Sequence, residues 1–180
     1  MAVREKLSFG KISKIKVTDN DSWNDQIIFL TFDIDWAHDD IIRDSMQLIL
    51  EADAYATFFV THDTPVLDEL RAQSNFELGL HPNFNKILDG TDHATSAEGI
   101  LKELMTIVPE AKAVRSHSTT FSSQLCNVFA KAGLTHDCNF FIPDFANVEL
   151  KPWKNWLQMT MVPYFWEDDV ACLEKNVSPV

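Results

Sequence analysis

Glycine is scarce in this chain, with five in 180 residues. None forms a G-x-G pair or a Gly-Lys-Ser/Thr loop, which excludes Rossmann-type dinucleotide binding and the Walker phosphate loop. Cysteine is sparse too: Cys126, Cys138 and Cys172 are odd in number and show no C-x-x-C spacing. That excludes a disulfide framework and a zinc ribbon, and it implies reduced thiols. Basic residues are outnumbered, 15 Lys and Arg against 27 Asp and Glu, for a net charge of −12. Such a balance repels phosphate backbones and anionic lipid heads, so neither nucleic acid nor a membrane surface is an expected partner. No run approaches the ~20 apolar residues of a membrane span. The first 25 residues carry lysines but no apolar segment or small-residue cleavage site of a secretory signal. The expectation is a cytoplasmic protein without a membrane span.

What is present is globular in composition: 46% hydrophobic and 23% charged residues. A chain of this length forms one domain, large enough to bury roughly 70% of its unfolded surface without a covalent staple. Residues 1–25 read as a polar N-terminal leader and residues 26–180 as the folded domain.

Apolar patterning predicts alternating strands and helices. Ile27-Ile28-Phe29-Leu30-Thr31-Phe32 is a continuous β-branched and aromatic run, the habit of a parallel strand buried on both faces. Ile41, Ile42, Met46, Ile49 and Leu50 recur at helical spacing up to about Asp53. Further strands are predicted over Ala56–Val60, Phe76–Leu80, Ala113–Val114, Leu134–Asn139 and Thr160–Trp166. Helices are predicted around Leu67 and Leu70, from Ile100 to Ile107, and from Phe121 to Ala132, the last stopped by Gly133. Lys151–Trp156 reads as a loop, and residues 170–180 show no closing strand or helix. This alternation implies βαβ units and a parallel sheet, closed either as a doubly wound sheet or as an incomplete (β/α) barrel.

Reactive side chains fall just after the predicted strands: Asp33 and Asp35, His62 and Asp63, His81, Arg115 and His117, His136 and Asp137. In parallel α/β folds those strand ends share one face, where active sites gather. On an extended segment Asp33 and Asp35 would project from the same side, roughly 7 Å apart. Two carboxylates so placed call for a cation. His81 is the natural nitrogen partner for Asp35 at a zinc-type ion. For a third ligand the candidates are Asn85, His93, His117 and His62. Arg115 fits a bidentate grip on a carboxylate. Aromatic residues crowd the C-terminal part, Trp153, Trp156, Tyr164, Phe165 and Trp166, followed by Glu167, Asp168 and Asp169. Aromatic faces beside carboxylates suit sugar rings, although such residues are more often core. Paired carboxylates, Asp33 with Asp168 or Asp169, would also allow a metal-free glycoside hydrolysis.

Leu30-Thr31-Phe32-Asp33-Ile34-Asp35 resembles the first motif of the polysaccharide deacetylases, the NodB-homology family, and Glu77-Leu78-Gly79-Leu80-His81 resembles the start of the second. Arg115-Ser116-His117 sits where the third belongs. The strings Asp-Ile-Asp-Trp, Leu-His-Pro-Asn-Phe-Asn, Arg-Ser-His-Ser and Pro-Tyr-Phe-Trp-Glu-Asp-Asp are similar to a WbmS-like branch associated with bacterial surface-polysaccharide biosynthesis. The resemblance implies a distorted, incomplete (β/α) barrel of TIM-like, deacetylase type. It implies a divalent metal as cofactor, zinc first, with cobalt, nickel or manganese as substitutes. Carried over, Asp33 is the general base and Asp35 and His81 are metal ligands. Asn85 stands at the family's second metal histidine, and Arg115 orients Asp33. Ile34 occupies the family's usual second-aspartate position. The late Leu-x-His motif that supplies an acid histidine is not found before Val180, which leads to the expectation of a fragment, with His117 or His62 as the acid. His62, Trp166 and Asp168 are expected to contact the substrate, an amino sugar or glycan from which an N-acetyl group is removed. The alternative is a non-catalytic glycan-binding module on the same fold.

Overall fold

The computed structural model describes residues 7–91 and 95–175. Strands β3 (Leu30–Asp33), β4 (Ala56–Val60), β5 (Phe76–Leu80), β6 (Ala113–Val114), β7 (His136–Phe141), β8 (Trp153–Lys154) and β9 (Thr160–Tyr164) form one sheet of order β3-β4-β5-β6-β7-β9-β8. Every ladder in it is parallel except β8 with β9. Helices α1 (Asp39–Glu51), α2 (Val66–Arg71), α3 (Asn85–Leu88), α4 (Ala97–Ile107) and α5 (Ser123–Lys131) fall between the strands, and α6 (Asp168–Lys175) follows β9. A small parallel pair, β1 (Ser8–Phe9) and β2 (Ile27–Ile28), stands apart. The fold is thus α/β with a mostly parallel central sheet, as the alternation predicts. No ladder joins the edge strands β3 and β8 among the described residues.

β4 shows why the sheet is layered. All five of its residues are buried. Phe58 stacks on Phe32 at 5.1 Å and meets Phe76 edge-on at 5.4 Å. On that side Leu67 and Leu70 of α2, Leu101 and Leu104 of α4 and Phe129 of α5 complete the main core. Phe59 points the other way, into a second cluster with Ile12, Ile15, Ala113, Cys138 and Val162. Each such side chain contributes roughly 1.5–3 kcal/mol by leaving water.

The second cluster recruits part of the stretch expected as a polar leader. Ile12 and Ile15 are buried, Ser13 N donates to Glu77 Oε1 at 3.0 Å, and His136 Nε2 lies 2.9 Å from Ile15 O. Burial pushes the His136 imidazole below its usual range, so it is neutral at pH 7 and can donate from Nε2 to that carbonyl.

Several elements depart from the sequence reading. The run from Ile27 to Phe32 breaks at Phe29, and β3 is an edge strand of half-buried residues, not one covered on both faces. β7 begins at His136 because Gly133 and Leu134 serve the exit of α5, donating to Ala130 O and Phe129 O. His136 and Asp137 therefore open a strand and do not sit on the rim with the other reactive residues. Trp153–Lys154 is a strand, where a loop is expected, because β9 offers an open edge. Asp168–Lys175 is helical, led by Asp168 and Asp169, carboxylates that favour a helix N-terminus.

Candidate active site

β3 ends at Asp33, and the chain turns sharply before α1. Ile34 N donates to Phe59 O at 3.1 Å and Ala37 N to Ile34 O at 2.8 Å, leaving Asp35 at φ +32°. A non-glycine residue there costs about 1 kcal/mol or more, a cost that concentrates at functional positions. The turn replaces the extended geometry expected for Asp33 and Asp35. The two carboxylates do not stand side by side but face opposite edges of one ring. Asp33 Oδ1 is 3.6 Å from His81 Nδ1, and Asp35 Oδ1 is 3.2 Å from His81 Nε2.

His81 follows β5 directly and extends its ladder, its N–H donating to Val60 O at 2.8 Å. The chain after β6 does the same: Arg115 N donates to Leu80 O and His117 N to Pro82 O, both at 3.0 Å. Those bonds hold Arg115 and His117 beside His81. His117 Nδ1 lies 3.0 Å from Asp35 Oδ1, so Asp35, His81 and His117 form a group whose candidate donor atoms lie within 4.8 Å of one another. Donors sharing a tetrahedral ion at about 2.0–2.1 Å stand about 3.3 Å apart, close to these separations. The His81 bond first, then His117, holds the Asp35 carboxyl below the usual carboxylate range against the opposing effect of burial.

Arg115 is buried and fixed from every side. Its Nη1 donates to Asp33 Oδ1 at 3.0 Å, Nη2 to Thr31 Oγ1 at 2.7 Å, and Nε to Cys138 O at 3.4 Å. The guanidinium lies 4.7 Å from the Phe59 ring centre and 4.6 Å from that of Tyr164. Tyr164 in turn donates its hydroxyl to Glu167 Oε2 at 2.9 Å. Asp33 Oδ2 accepts no hydrogen bond among the described residues, which leaves it free for a substrate or a water.

Of the other sequence-derived positions, His62 reaches this group through Thr61. His62 is half-buried after β4, its Nδ1 2.8 Å from Thr61 Oγ1, and that hydroxyl also reaches Asp35 O at 3.2 Å. Asn85 is exposed on the first turn of α3 and makes no hydrogen bond to Asp35, His81 or His117. His93 lies outside the described residues. Trp166 is exposed and lines a cavity of about 330 Å³ with Phe141, Asp144, Phe145, Phe165 and Glu167. Asp168 is exposed at the start of α6. Asp169 follows it on α6, and neither carboxylate bonds to Asp33. Cys126 is buried core, its thiol pushed up to about 11 by burial.

Three contributors, Thr31, Thr61 and Trp36, went unread in the sequence, and Tyr164 was read only as one of the C-terminal aromatic residues. Thr31 and Tyr164 grip Arg115, and Thr61 ties His62 to the Asp35 turn. Trp36, 59% exposed, sets its ring 5.4 Å from that of His117. Trp36 and Tyr164 both lie inside motif strings, so adjacency to the reactive residues is the signal that marks them. Thr31 lies inside the first motif string and Thr61 stands next to His62, so the same signal marks both.

The family model described as "WbmS-like: Polysaccharide deacetylase" matches residues 30–179. The chain belongs to the WbmS-like polysaccharide deacetylase family. Among solved structures it is similar to a Bordetella bronchiseptica protein, WbmS, provisionally named a polysaccharide deacetylase involved in O-antigen biosynthesis. The two share 44% identity at a TM-score of 0.89, over 93% of this chain and 69% of that one. A search of curated proteins found no match. No helix among the described residues is long and apolar enough to cross a membrane.

Proposed function

We propose that this WbmS-like chain is a divalent-metal-dependent deacetylase that removes the N-acetyl group from an amino sugar of a bacterial surface polysaccharide, such as an O-antigen, in the cytoplasm. The observation that carries this reading is the joining of Asp35, His81 and His117 into one donor group beside an Arg115-bound carboxylate. One carboxylate and two imidazoles suit zinc, and cobalt, nickel or manganese could replace it. The donor set fits a metal on a second count. His81 Nδ1 is buried without a hydrogen-bond partner, and a ring held through Nε2 would aim the Nδ1 proton toward Asp33. Strands β3 to β9 would be the wall of an incomplete barrel whose open side lies between β3 and β8.

Asp35, His81 and His117 would hold the divalent ion, which would supply Lewis acidity and make a water easier to deprotonate there. Asp33 accepts that water's proton at Oδ2, because Oδ1 is taken by Arg115. Arg115 keeps Asp33 aimed. His117, one of the acid candidates, is drawn into the ligand group. His62 then delivers the proton to the departing amine. If the Thr61 hydroxyl donates to Asp35 O, His62 Nδ1 donates to Thr61, and the proton for the amine is carried on Nε2. Asn85, exposed at the start of α3, is better suited to contact substrate than metal. Trp36, Trp166 and Asp168 offer faces and an acceptor to the sugar ring.

The test is acetate release from N-acetylated amino sugars and their oligomers by zinc-loaded protein. Release that a chelator abolishes and added zinc restores is expected. Calorimetric sugar binding with no acetate released would favour the binding-module alternative instead. Acetate release that a chelator leaves untouched would overturn the metal requirement.

A further inference from the structure

We infer that Tyr164 and Glu167 are positioning residues for this site, forming a clamp that fixes the Arg115 guanidinium and, through it, Asp33. The inference rests on the deacetylase reading for its catalytic consequence but not for its geometry. Arg115 has its three in-plane directions occupied by Asp33, Thr31 and the Cys138 carbonyl. Those bonds set the plane's rotation but leave both faces open to tilting. Phe59 covers one face, supported by the fully buried second core. Tyr164 brings a second ring against the guanidinium, its centre 4.6 Å away, from the end of β9.

Tyr164 differs from Phe59 in being only half-buried, so packing alone does not hold it. Its hydroxyl is tied to Glu167, one turn-length later in the chain, at 2.9 Å. Burial pushes the Tyr164 phenol above its usual range, which keeps the proton on the phenol and the donor role with Tyr164. Glu167 also lines the cavity that holds Trp166 and Phe145. A ligand filling that cavity therefore touches the residue that anchors the clamp. A guanidinium stacked on aromatic faces is matched by no lysine and by no aliphatic lid.

The test uses the full chain loaded with zinc, a chito-oligosaccharide as the acetylated probe, and the side-chain Nε–H resonance of Arg115 in ¹⁵N spectra. Tyr164→Leu is expected to lower kcat about 10- to 100-fold, the usual cost of a misplaced catalytic group. KM should stay within about threefold, because the ground-state contacts are untouched. The Arg115 resonance should shift and exchange faster with water. Tyr164→Phe, which keeps the ring, should recover most of the lost kcat. Should Tyr164→Leu fail to fold, Glu167→Ala carries the same readouts at a partly exposed position, with a smaller fall of several-fold in kcat. A folded variant with kcat and Arg115 resonance as in the parent overturns the clamp. A parent protein that releases no acetate overturns the deacetylase reading alone, and the Arg115 resonance then decides the clamp by itself.

Discussion

Asp35, His81 and His117 converge because three separate strand ends deliver them, and each sits in a different environment. Asp35 sits in a strained turn at φ +32°, His81 is almost fully buried, and His117 keeps a quarter of its side chain exposed. Replacing His62 with Ala is expected to lower kcat at least tenfold while zinc content stays at the parent level. Equal loss of zinc would show that His62 belongs to the ligand group. Arg115→Lys should cost about 100-fold in kcat at unchanged zinc content, because an ammonium cannot serve Asp33, Thr31 and two ring faces together. Asp137 gives a pH signature away from the site. It is fully buried, and desolvation pushes its carboxyl up to about 6, against the hydrogen bonds from Asn139. The folded state then binds the proton more tightly than the unfolded chain, whose carboxyl titrates near 3.9. Stability from this group is present below about pH 4, is lost as pH rises through about 6, and stays flat above. Asp137→Asn should therefore flatten the decline between about pH 4 and 6 and gain up to about 3 kcal/mol at pH 7, read by urea unfolding. An undiminished decline in the variant would contradict the assignment.

Among the elements, β4 and β5 govern the site, one through Phe59 and the other through Gly79 and His81. A Cβ on Gly79 would stand 2.7 and 2.8 Å from two Phe59 ring carbons and 3.0 Å from Ala113 O. Phe59 has no room to retreat, being fully buried, and it lies under Arg115. Gly79→Ala should lose about 1–3 kcal/mol in urea unfolding and also lower kcat. A neutral effect on both would mean the second core is looser than its packing shows. β4 and β5 were legible in the sequence as short runs rich in aromatic and aliphatic residues, Ala-Thr-Phe-Phe-Val and Phe-Glu-Leu-Gly-Leu, and α1 was legible by its amphipathic face. The Asp35 turn was not legible, since Asp-Ile-Asp-Trp reads equally as a strand continuing. Nor was the covering of Phe59 by Ile12 and Ile15, two isolated apolar residues in a charged stretch with no periodicity to register. β8 has only two residues and exists because β9 offers it an edge. The motif residues Asp33, Asp35, His81 and Arg115 could be named in advance. Their mutual contacts could not, because two half-turns of backbone decide which ring edge each carboxylate meets.

At the scale of the whole molecule, a parallel sheet gathers strand ends on one face, and that face holds Asp33, Asp35, His81, Arg115 and His117. The opposite end is sealed by the N-terminal segment through Ile12, Ile15 and the His136 bond to Ile15 O. Site and seal share Phe59 and Cys138, so damage to one end is felt at the other. Metal held at Asp35, His81 and His117 is the central expectation, and the most direct measurement is ion content by plasma mass spectrometry. It should be made on protein purified without an affinity metal column, dialysed with and without added zinc, beside Asp35→Ala/His81→Ala. The account predicts about one divalent ion per chain in the parent and a near-complete loss in the double variant. No ion in the parent after zinc loading, or one retained stoichiometrically by the variant, would contradict it.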